Sequence, residues 1–134
     1  MRTTARETLF KFIFSSQFSA SADDGLKNAL YKADKLDKDD IEYCNLILNY
    51  VNLHKNEIYK IIDEYSVSFP QSRIYPADKS ILSLAIAEIL YAEDIPDKVS
   101  INEAANIASK YSSEKSASFI SGILSSVIKE KKNV

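Results

Sequence analysis

The stretch Asp78–Tyr91 places the strongest constraint on how this 134-residue chain can fold. It reads DKSILSLAIAEILY, and its apolar residues leave almost no polar face on a helix of 3.6 residues per turn. Pro76 precedes it, Asp78 puts a carboxylate near the positive end of the helix dipole, and Glu88 is the charged residue within its apolar part. The run is also longer than a usual strand. We therefore predict a buried central helix, with amphipathic helices packed around it.

The rest of the composition favours an all-α fold. Two glycines and three prolines are too few for the turns of a many-stranded sandwich or barrel, and they exclude a glycine-rich phosphate loop. With 46% hydrophobic and 27% charged residues, the chain is predicted to be one globular domain over residues 1–134. Its start has no signal-peptide pattern, and no run of eighteen apolar residues occurs, so a cytoplasmic protein without a membrane segment is expected.

No set of residues supports a catalytic reaction. The single cysteine, Cys44, excludes an internal disulfide and a zinc cluster, and its position on a helix indicates a small core residue. His54, the single histidine, has neither a metal-ligand partner nor a triad pattern around it. Cofactor fingerprints are absent from the sequence, so we expect a protein without a cofactor that is not an enzyme.

Charge is unevenly distributed along the chain, although the net charge is only -2. The segment 23–64 carries ten acidic residues against six lysines, whereas both termini are basic. Arg2, Arg6 and Lys11 lie near the start, and three lysines lie near the end. Each cluster is consistent with an ordinary solvated surface, and the C-terminal lysines also complement a helix dipole.

The first helix is predicted to begin at a capping box formed by Thr4 and Glu7. Phe10, Phe14 and Phe18 follow at i, i+4 spacing, beside a second apolar stripe. This is too much aromatic surface for one helix face. Either the helix is packed between neighbours, or some rings stay near the surface and could stack on nucleic-acid bases. Core packing is the better account of Phe10, and the sequence leaves Phe14 open.

The middle of the chain predicts a short amphipathic helix that ends near Asp34 and one long helix over Asp37–Tyr65. The latter segment contains no glycine or proline, and its apolar residues recur at steps of three and four. The irregular segment Ser66–Pro76 should be anchored by Phe69 and Ile74.

In the C-terminal third, Ser100 and Glu103 predict a second capping box. Tyr111–Ser113 should break that helix, and Ser113 or Ser116 should cap the last one. Gly122 lies within the last helix, where glycine is unfavourable, so a neighbouring backbone is expected to approach it closely.

The segment Asp94–Ala104, DIPDKVSINEA, closely resembles the DIPxKVxINEA signature of the bacterial transcription antitermination factors of the NusB family. Upstream, Arg73–Ile74 and Asp78–Ala85, with Glu88, are similar to the family's RL and DRxILRLAxxE stretch. Downstream, Glu114, Ser116 and Phe119–Leu124 resemble its E-D-S and FVNGVLD ending. Arg2 and Ala5–Glu7 match the end of its arginine-rich opening. The resemblance therefore extends over nearly the whole chain and is strongest from Arg73 onward.

This resemblance implies a compact bundle of about six to seven helices in two packed subbundles, with a basic N-terminal arm at residues 1–6. It implies an RNA-binding protein that binds boxA RNA together with the ribosomal protein NusE and modifies RNA polymerase to suppress termination, notably in ribosomal RNA operons. A homodimer of the free protein is compatible with it. The residues that it places against RNA are Arg2, Arg6, Phe14, Tyr111, Ser112, Ser113, Glu114 and Lys115. It places Asp78 on the NusE-binding side, where Asp78→Arg should weaken the complex without disturbing the fold.

The chain departs from the family pattern at several positions. Thr3 and Thr4 replace arginines, which shortens the basic arm, while Lys115 replaces an acid and adds a cation to the proposed surface. Two alternatives remain at this stage. One is a stand-alone helical domain related to the N-terminal domain of ribosomal RNA cytosine methyltransferases, without catalytic activity. The other is a protein-interaction bundle without RNA affinity.

Overall fold

The computed structural model describes residues 2–18, 23–67 and 70–132. Within these ranges the chain forms seven α-helices and one short 3-10 helix, which confirms the predicted all-α class. The α-helices are α1 (Arg2–Ser16), α2 (Asp24–Ala33), α3 (Lys38–Leu53), α4 (Lys55–Tyr65), α5 (Pro76–Tyr91), α6 (Asp97–Tyr111) and α7 (Glu114–Lys132), and the 3-10 helix is Gln71–Arg73. Among these helices, none combines the length and the apolar character needed to cross a membrane.

Helix α5 is the centre of the fold, as its sequence predicts. It packs against all the other α-helices except α2. Two helix groups meet at α5: one in which α1 contacts α2 and α3, and one in which α7 contacts α4 and α6. Leu82 and Ile86 are fully buried, and Ile89 nearly so. Burying one such side chain is worth about 1.5–3 kcal/mol, so α5 supplies much of the hydrophobic free energy that holds the two helix groups together.

The prediction of one helix over Asp37–Tyr65 is wrong, because the chain bends at His54 between α3 and α4. The bend lets the two halves bury their apolar residues in different places: α3 contacts α1 and α5, whereas α4 contacts α5 and α7. The His54 ring stacks on Tyr91 with 3.8 Å between ring centroids. The sequence signal of this break was the polar residue, His54 or Lys55, where the repeat of apolar residues calls for an apolar one.

Both predicted capping boxes are also wrong. Helix α1 already includes Arg2, so Thr4 lies inside it, with its carbonyl oxygen 2.9 Å from the Thr8 hydroxyl oxygen. Helix α6 begins at Asp97, three residues before Ser100. Ser100 and Glu103 instead make contacts between helices, which are described below. Glu7, Ser100 and Glu103 therefore form tertiary contacts and do not cap a helix.

The turn between α6 and α7 agrees with the sequence analysis. Tyr111 ends α6, and the Ser113 hydroxyl accepts a hydrogen bond from the Ser116 backbone N–H at 3.0 Å, so Ser113 caps α7. Gly122 does not meet the expectation of a close neighbour, because a Cβ added there would have open space around it.

Three further predictions concern the end of α2, the residues that anchor the segment before α5, and Cys44. Helix α2 ends at Ala33, next to Asp34, as predicted. Ile74 is buried and anchors the segment before α5, whereas Phe69 lies outside the described residues. Cys44 is fully buried on α3, and its thiol donates to the Ala5 carbonyl at 3.3 Å.

Candidate nucleic-acid interface

The α6–α7 turn presents exposed polar groups beside the flank of α1. Tyr111, Ser112, Ser113, Glu114 and Lys115 are all exposed. The turn is nevertheless ordered by hydrogen bonds, because the Ser112 hydroxyl donates to the Ser116 hydroxyl at 2.9 Å in addition to the Ser113 cap. A hydrogen-bonded turn of this kind holds its exposed side chains in a defined arrangement.

Aromatic rings continue from this turn along α1. The distances between ring centroids are 5.1 Å for Tyr111 and Phe10, 6.1 Å for Phe10 and Phe14, and 5.0 Å for Phe14 and Phe18. Phe10 is buried, Phe14 is half-buried, and the side chains at the two ends are exposed, Tyr111 by 37% and Phe18 by 64%. We call Tyr111, Phe10, Phe14 and Phe18 the aromatic row. Its exposed rings are of the kind that stack on unpaired bases.

Two lysines belong to this part of the surface: Lys110 beside the aromatic row and Lys115 on the α6–α7 turn. The Lys110 ammonium lies 5.4 Å from the centre of the Tyr111 ring and 2.7 Å from the Glu7 carboxylate. The hydrogen bond that Lys110 donates to the Glu7 carboxylate raises the pKa of Lys110, so this amine stays charged. Lys115 is exposed in the first turn of α7. Neither Lys110 nor Phe18 is among the RNA-facing residues predicted from the sequence. Phe18 was visible there as a member of the i, i+4 aromatic stripe, whereas Lys110 had no such signal.

Arg2 is not part of this cluster, because it faces α3. Its guanidinium lies 3.5 Å from the Asp40 carboxylate and 4.4 Å from the centre of the Tyr43 ring. Its side chain remains partly exposed, but it lies among the acidic groups of α3 rather than near Tyr111.

Arg6 lies inside the protein and is 3% exposed, contrary to the expectation that it faces RNA. Its guanidinium donates two hydrogen bonds to Glu88, at 2.9 and 3.0 Å, and one to Glu103 at 3.1 Å. Burial alone would lower the pKa of Arg6, but its bonds to Glu88 outweigh burial and raise the pKa. A guanidinium held by two carboxylates is not available to a phosphate, so Arg6 belongs to the core.

Asp78 is also buried, and it lies next to the α6–α7 turn. It is 3% exposed, and its Oδ2 accepts a hydrogen bond from the Ser116 hydroxyl at 2.9 Å. Its Oδ1 is buried without a hydrogen-bond partner among the described residues. Asp78, Ser113 and Lys115 line one groove of about 580 Å³, together with Arg73 and Tyr75. The structure therefore joins two sites that the sequence analysis treated separately.

The burial of Asp78 changes the expected effect of one substitution. Reversing a charge on a surface alters stability little, but replacing a buried, hydrogen-bonded aspartate by arginine leaves a larger cation in a closed space. The premise that Asp78 is a surface residue is therefore wrong, and we now expect Asp78→Arg to destabilise the fold.

Comparison with known proteins gives matches over nearly the full chain. The NusB family model matches residues 3–129. The transcription antitermination protein NusB of Finegoldia magna is 38% identical over 98% of this chain and 96% of its own length. The corresponding protein of Methylacidiphilum infernorum is 40% identical over 96% of this chain and 91% of its own length.

Solved structures agree on the fold. A chain in the crystal structure of antitermination factors NusB and NusE in complex with double-stranded RNA superposes with a TM-score of 0.87. The alignment covers 96% of both chains at 22% identity, so this likeness concerns the fold alone. The NusB of T. maritima superposes with a TM-score of 0.84 at 27% identity over 100% of this chain and 98% of that one. From the family match and these relatives, the chain belongs to the NusB family of transcription antitermination proteins.

Proposed function

We propose that this protein binds single-stranded boxA RNA jointly with the ribosomal protein NusE, and that it thereby modifies RNA polymerase to suppress termination, notably in ribosomal RNA operons. Family membership supports this proposal, since the 38%-identical relative is a transcription antitermination protein and is matched over 96% of its length. The structural neighbour that contains NusE and RNA has the same fold. The protein acts by binding, and no catalytic step is part of the proposal.

The observation that carries RNA binding is the aromatic row with its adjacent lysines. Single-stranded RNA is bound by stacking its bases on exposed rings and by pairing its phosphates with cations. Tyr111 and Phe18 offer such rings, and Lys110 and Lys115 offer such cations within the same part of the surface. We place Phe14, Ser112 and Ser113 in this surface as well. We leave out Arg2, which is held by Asp40 on the α3 side, and the buried Arg6.

Substitutions separate the electrostatic part of RNA binding from the stacking part. If Lys115 and Lys110 pair with phosphates, Lys115→Ala and Lys110→Ala should weaken binding to many RNA sequences alike. Each should reduce the slope of log affinity against log salt by up to about 0.7. Lys60→Ala, which removes an exposed cation from α4, is the matched control and should change neither quantity.

Ring substitutions should behave differently. Phe18→Ala should cost about 1–3 kcal/mol of RNA affinity at an unchanged salt slope, because no counterion release is lost. Tyr111→Ala should also weaken RNA binding at an unchanged salt slope. Because the Tyr111 ring packs on Phe10 as well, the thermal stability of this variant must be measured in parallel. A lower melting temperature with full RNA affinity per folded molecule would assign Tyr111 to packing alone.

Glu114 has a distinct role on this surface. It lies in the first turn of α7, where a carboxylate complements the helix dipole but repels phosphate. Glu114→Gln should therefore leave RNA affinity unchanged or raise it.

Full RNA affinity together with unaltered salt slopes for Lys110→Ala and Lys115→Ala would contradict the proposed surface.

For NusE we propose the groove that contains Asp78. A buried carboxylate oxygen without a hydrogen-bond donor is costly, and a donor from a partner would remove that cost. Asp78→Asn keeps the size of the side chain and removes the charge, so it is a better test than Asp78→Arg. We expect calorimetric titration with NusE to show affinity about ten-fold weaker for Asp78→Asn. Unchanged affinity of a folded variant would remove Asp78 from the partner surface.

The methyltransferase-related alternative is less well supported, because the curated relatives are matched over more than nine tenths of their own length and are antitermination proteins. A gel-shift assay with boxA RNA, with and without NusE, separates the proposal from a bundle without RNA affinity. Joint binding is the expected result.

A further inference from the structure

Helix α3 has an exposed apolar stripe on the side that faces away from the core. Leu46 is 46% exposed and Leu53 is 69% exposed. Seven residues complete nearly two turns, so both leucines lie on one line of the helix, about 10.5 Å apart along its axis. The half-buried Tyr50 lies between them. The inward face of α3, with Cys44, Ile47 and Val51, is buried, so the core does not account for these leucines.

A groove runs beside the N-terminal half of this stripe. It has a volume of about 290 Å³ and is bordered by Asp39, Glu42 and Leu46 of α3 and by Ala92, Asp94 and Ile95 of the α5–α6 turn. We call this surface, together with Leu53, the α3 groove. Near Leu53 the stripe is bordered by Tyr91, whose ring lies 5.9 Å from Tyr50 and whose hydroxyl donates to Glu57.

The charge of the α3 groove is negative. Asp39, Glu42 and Asp94 are exposed, and none of them forms an ion pair with a residue that the structure describes. The cation at the groove, Arg2, is already held by Asp40 and the Tyr43 ring. Asp39 and Glu42 belong to the acid-rich segment 23–64, and Asp94 adds a third acid from the α5–α6 turn. RNA binding does not explain these carboxylates, because they would repel phosphates.

We propose that the α3 groove is a second docking surface, and that its occupant is a basic amphipathic helix of a partner protein. Apolar residues at i, i+4 and i+7 of such a helix match the spacing of the leucine stripe, and lysines or arginines beside them match the carboxylates of the rim. RNA is disfavoured, because its phosphates would face unpaired acids. The surface lies on α3, whereas the aromatic row lies on α1 and α6, so both can be occupied together and the protein can join RNA to another protein.

The direct test uses a synthetic helix as probe and does not depend on RNA binding. The probe is a fluorescent 18-residue peptide of Ala, Leu and Lys, with leucines along one face and lysines on both sides of it. Its binding to the full chain is followed by anisotropy. A peptide of the same composition in shuffled order, without an apolar face, should bind at least ten-fold more weakly. Equal binding of both peptides, or no binding of the first, would overturn the proposal.

Variants locate the site. Leu46→Ser with Leu53→Ser should weaken peptide binding at least ten-fold, and so should Glu42→Lys with Asp94→Lys. These side chains are exposed, and circular dichroism checks that the variants fold. The matched controls are Leu26→Ser, at an exposed leucine of α2, and Glu64→Lys, at an exposed acid of α4, and each should stay within two-fold of the parent. Controls that weaken binding as much as the groove variants would overturn the assignment.

Other occupants have distinct signatures. If a second copy of this chain covered the α3 groove, sedimentation would show the parent as a dimer and the double serine variant as a monomer. If RNA covered it, the double serine variant would lose boxA affinity. Either result overturns the proposed basic helix, whereas unchanged RNA affinity and unchanged mass with lost peptide binding support it.

Discussion

The guanidinium of Arg6 on α1 forms two hydrogen bonds with the carboxylate of Glu88 in the last turn of α5, at 2.9 and 3.0 Å, and both side chains are buried. Glu88 also accepts hydrogen bonds from the Tyr43 hydroxyl on α3 and from the Ser100 hydroxyl on α6. Glu103 on α6 accepts the third hydrogen bond of Arg6. One buried carboxylate therefore connects four helices, and the network specifies how they are arranged.

Breaking this network should destabilise the protein strongly. Removing the Glu88 charge leaves Arg6 paired with Glu103 alone and weakens the bonds from Tyr43 and Ser100. Breaking a buried ion pair in this way costs about 3–5 kcal/mol. We expect Glu88→Gln to lower the free energy of unfolding by this amount in urea denaturation. The double variant Arg6→Met, Glu88→Leu should lose less than the sum of its single variants. Glu93→Gln, at an exposed carboxylate after α5, is the control and should change stability by less than about 0.5 kcal/mol. A loss below about 1 kcal/mol for Glu88→Gln would show that the network contributes little.

The Thr8–Asp34 hydrogen bond should make stability depend on acid pH. The Thr8 hydroxyl lies 2.6 Å from Asp34 Oδ2, and it is the main cause of the lowered pKa of Asp34, with Lys11 assisting and burial opposing. A lowered pKa in the folded state gives stability that is present above the unfolded value of about 3.9 and is lost as the pH falls through the folded value. Thr8→Val should therefore lower the free energy of unfolding by about 1.5 kcal/mol at pH 7.

Urea denaturation of this variant and the parent between pH 3 and 7 provides the measurement. The difference between them should begin to shrink below about pH 4 and keep shrinking as the pH falls toward 3, because the parent loses its advantage only as the folded protein itself protonates Asp34. If the free energies of unfolding of variant and parent differed by the same amount at every pH, the pKa of Asp34 would not depend on Thr8.

The thiol of Cys44 should react slowly in the folded protein. Burial raises the pKa of Cys44 to about 12, and the thiol is enclosed between α3 and α1. Since the thiolate is the reactive form, roughly one molecule in ten thousand would be reactive at pH 8, apart from the barrier of access. A colorimetric disulfide reagent should label Cys44 at least about 100-fold more slowly in the native protein than in urea. Rapid stoichiometric labelling of the native protein would contradict the buried position.

Gly122→Ala should stabilise the protein. Gly122 lies within α7, and an added Cβ would meet nothing within 4 Å, so the gain in helix propensity of about 1 kcal/mol should be realised. Gly25→Ala on α2 is the matched control. Its Cβ would lie 3.1 Å from Asp23 Oδ1, the oxygen that caps α2, so its gain should be smaller or reversed. Thermal unfolding of both variants is the measurement, and a decrease in melting temperature for Gly122→Ala would show a constraint on α7 that the structure lacks.

The sequence by itself determined the parts of this protein that depend on local pattern. The apolar run of α5 has no polar face, so only a buried helix could satisfy it, and the structure places it at the centre. The DIPDKVSINEA segment identified the family, and with it the class of function. Ser113 was identified as a helix cap because its partner is three residues away.

Only the tertiary structure decided how the polar side chains are used. Thr4 with Glu7 and Ser100 with Glu103 have capping-box spacing, yet both helices start earlier, and Glu7, Ser100 and Glu103 bond to residues of other helices. Arg6 lies 82 residues from Glu88 in the chain, and Asp78 lies 38 residues from Ser116, so no local pattern could indicate either pair. A side chain that looks like a surface charge in a sequence becomes a core residue when a distant helix supplies its counter-charge, because pairing then offsets the cost of removing it from water.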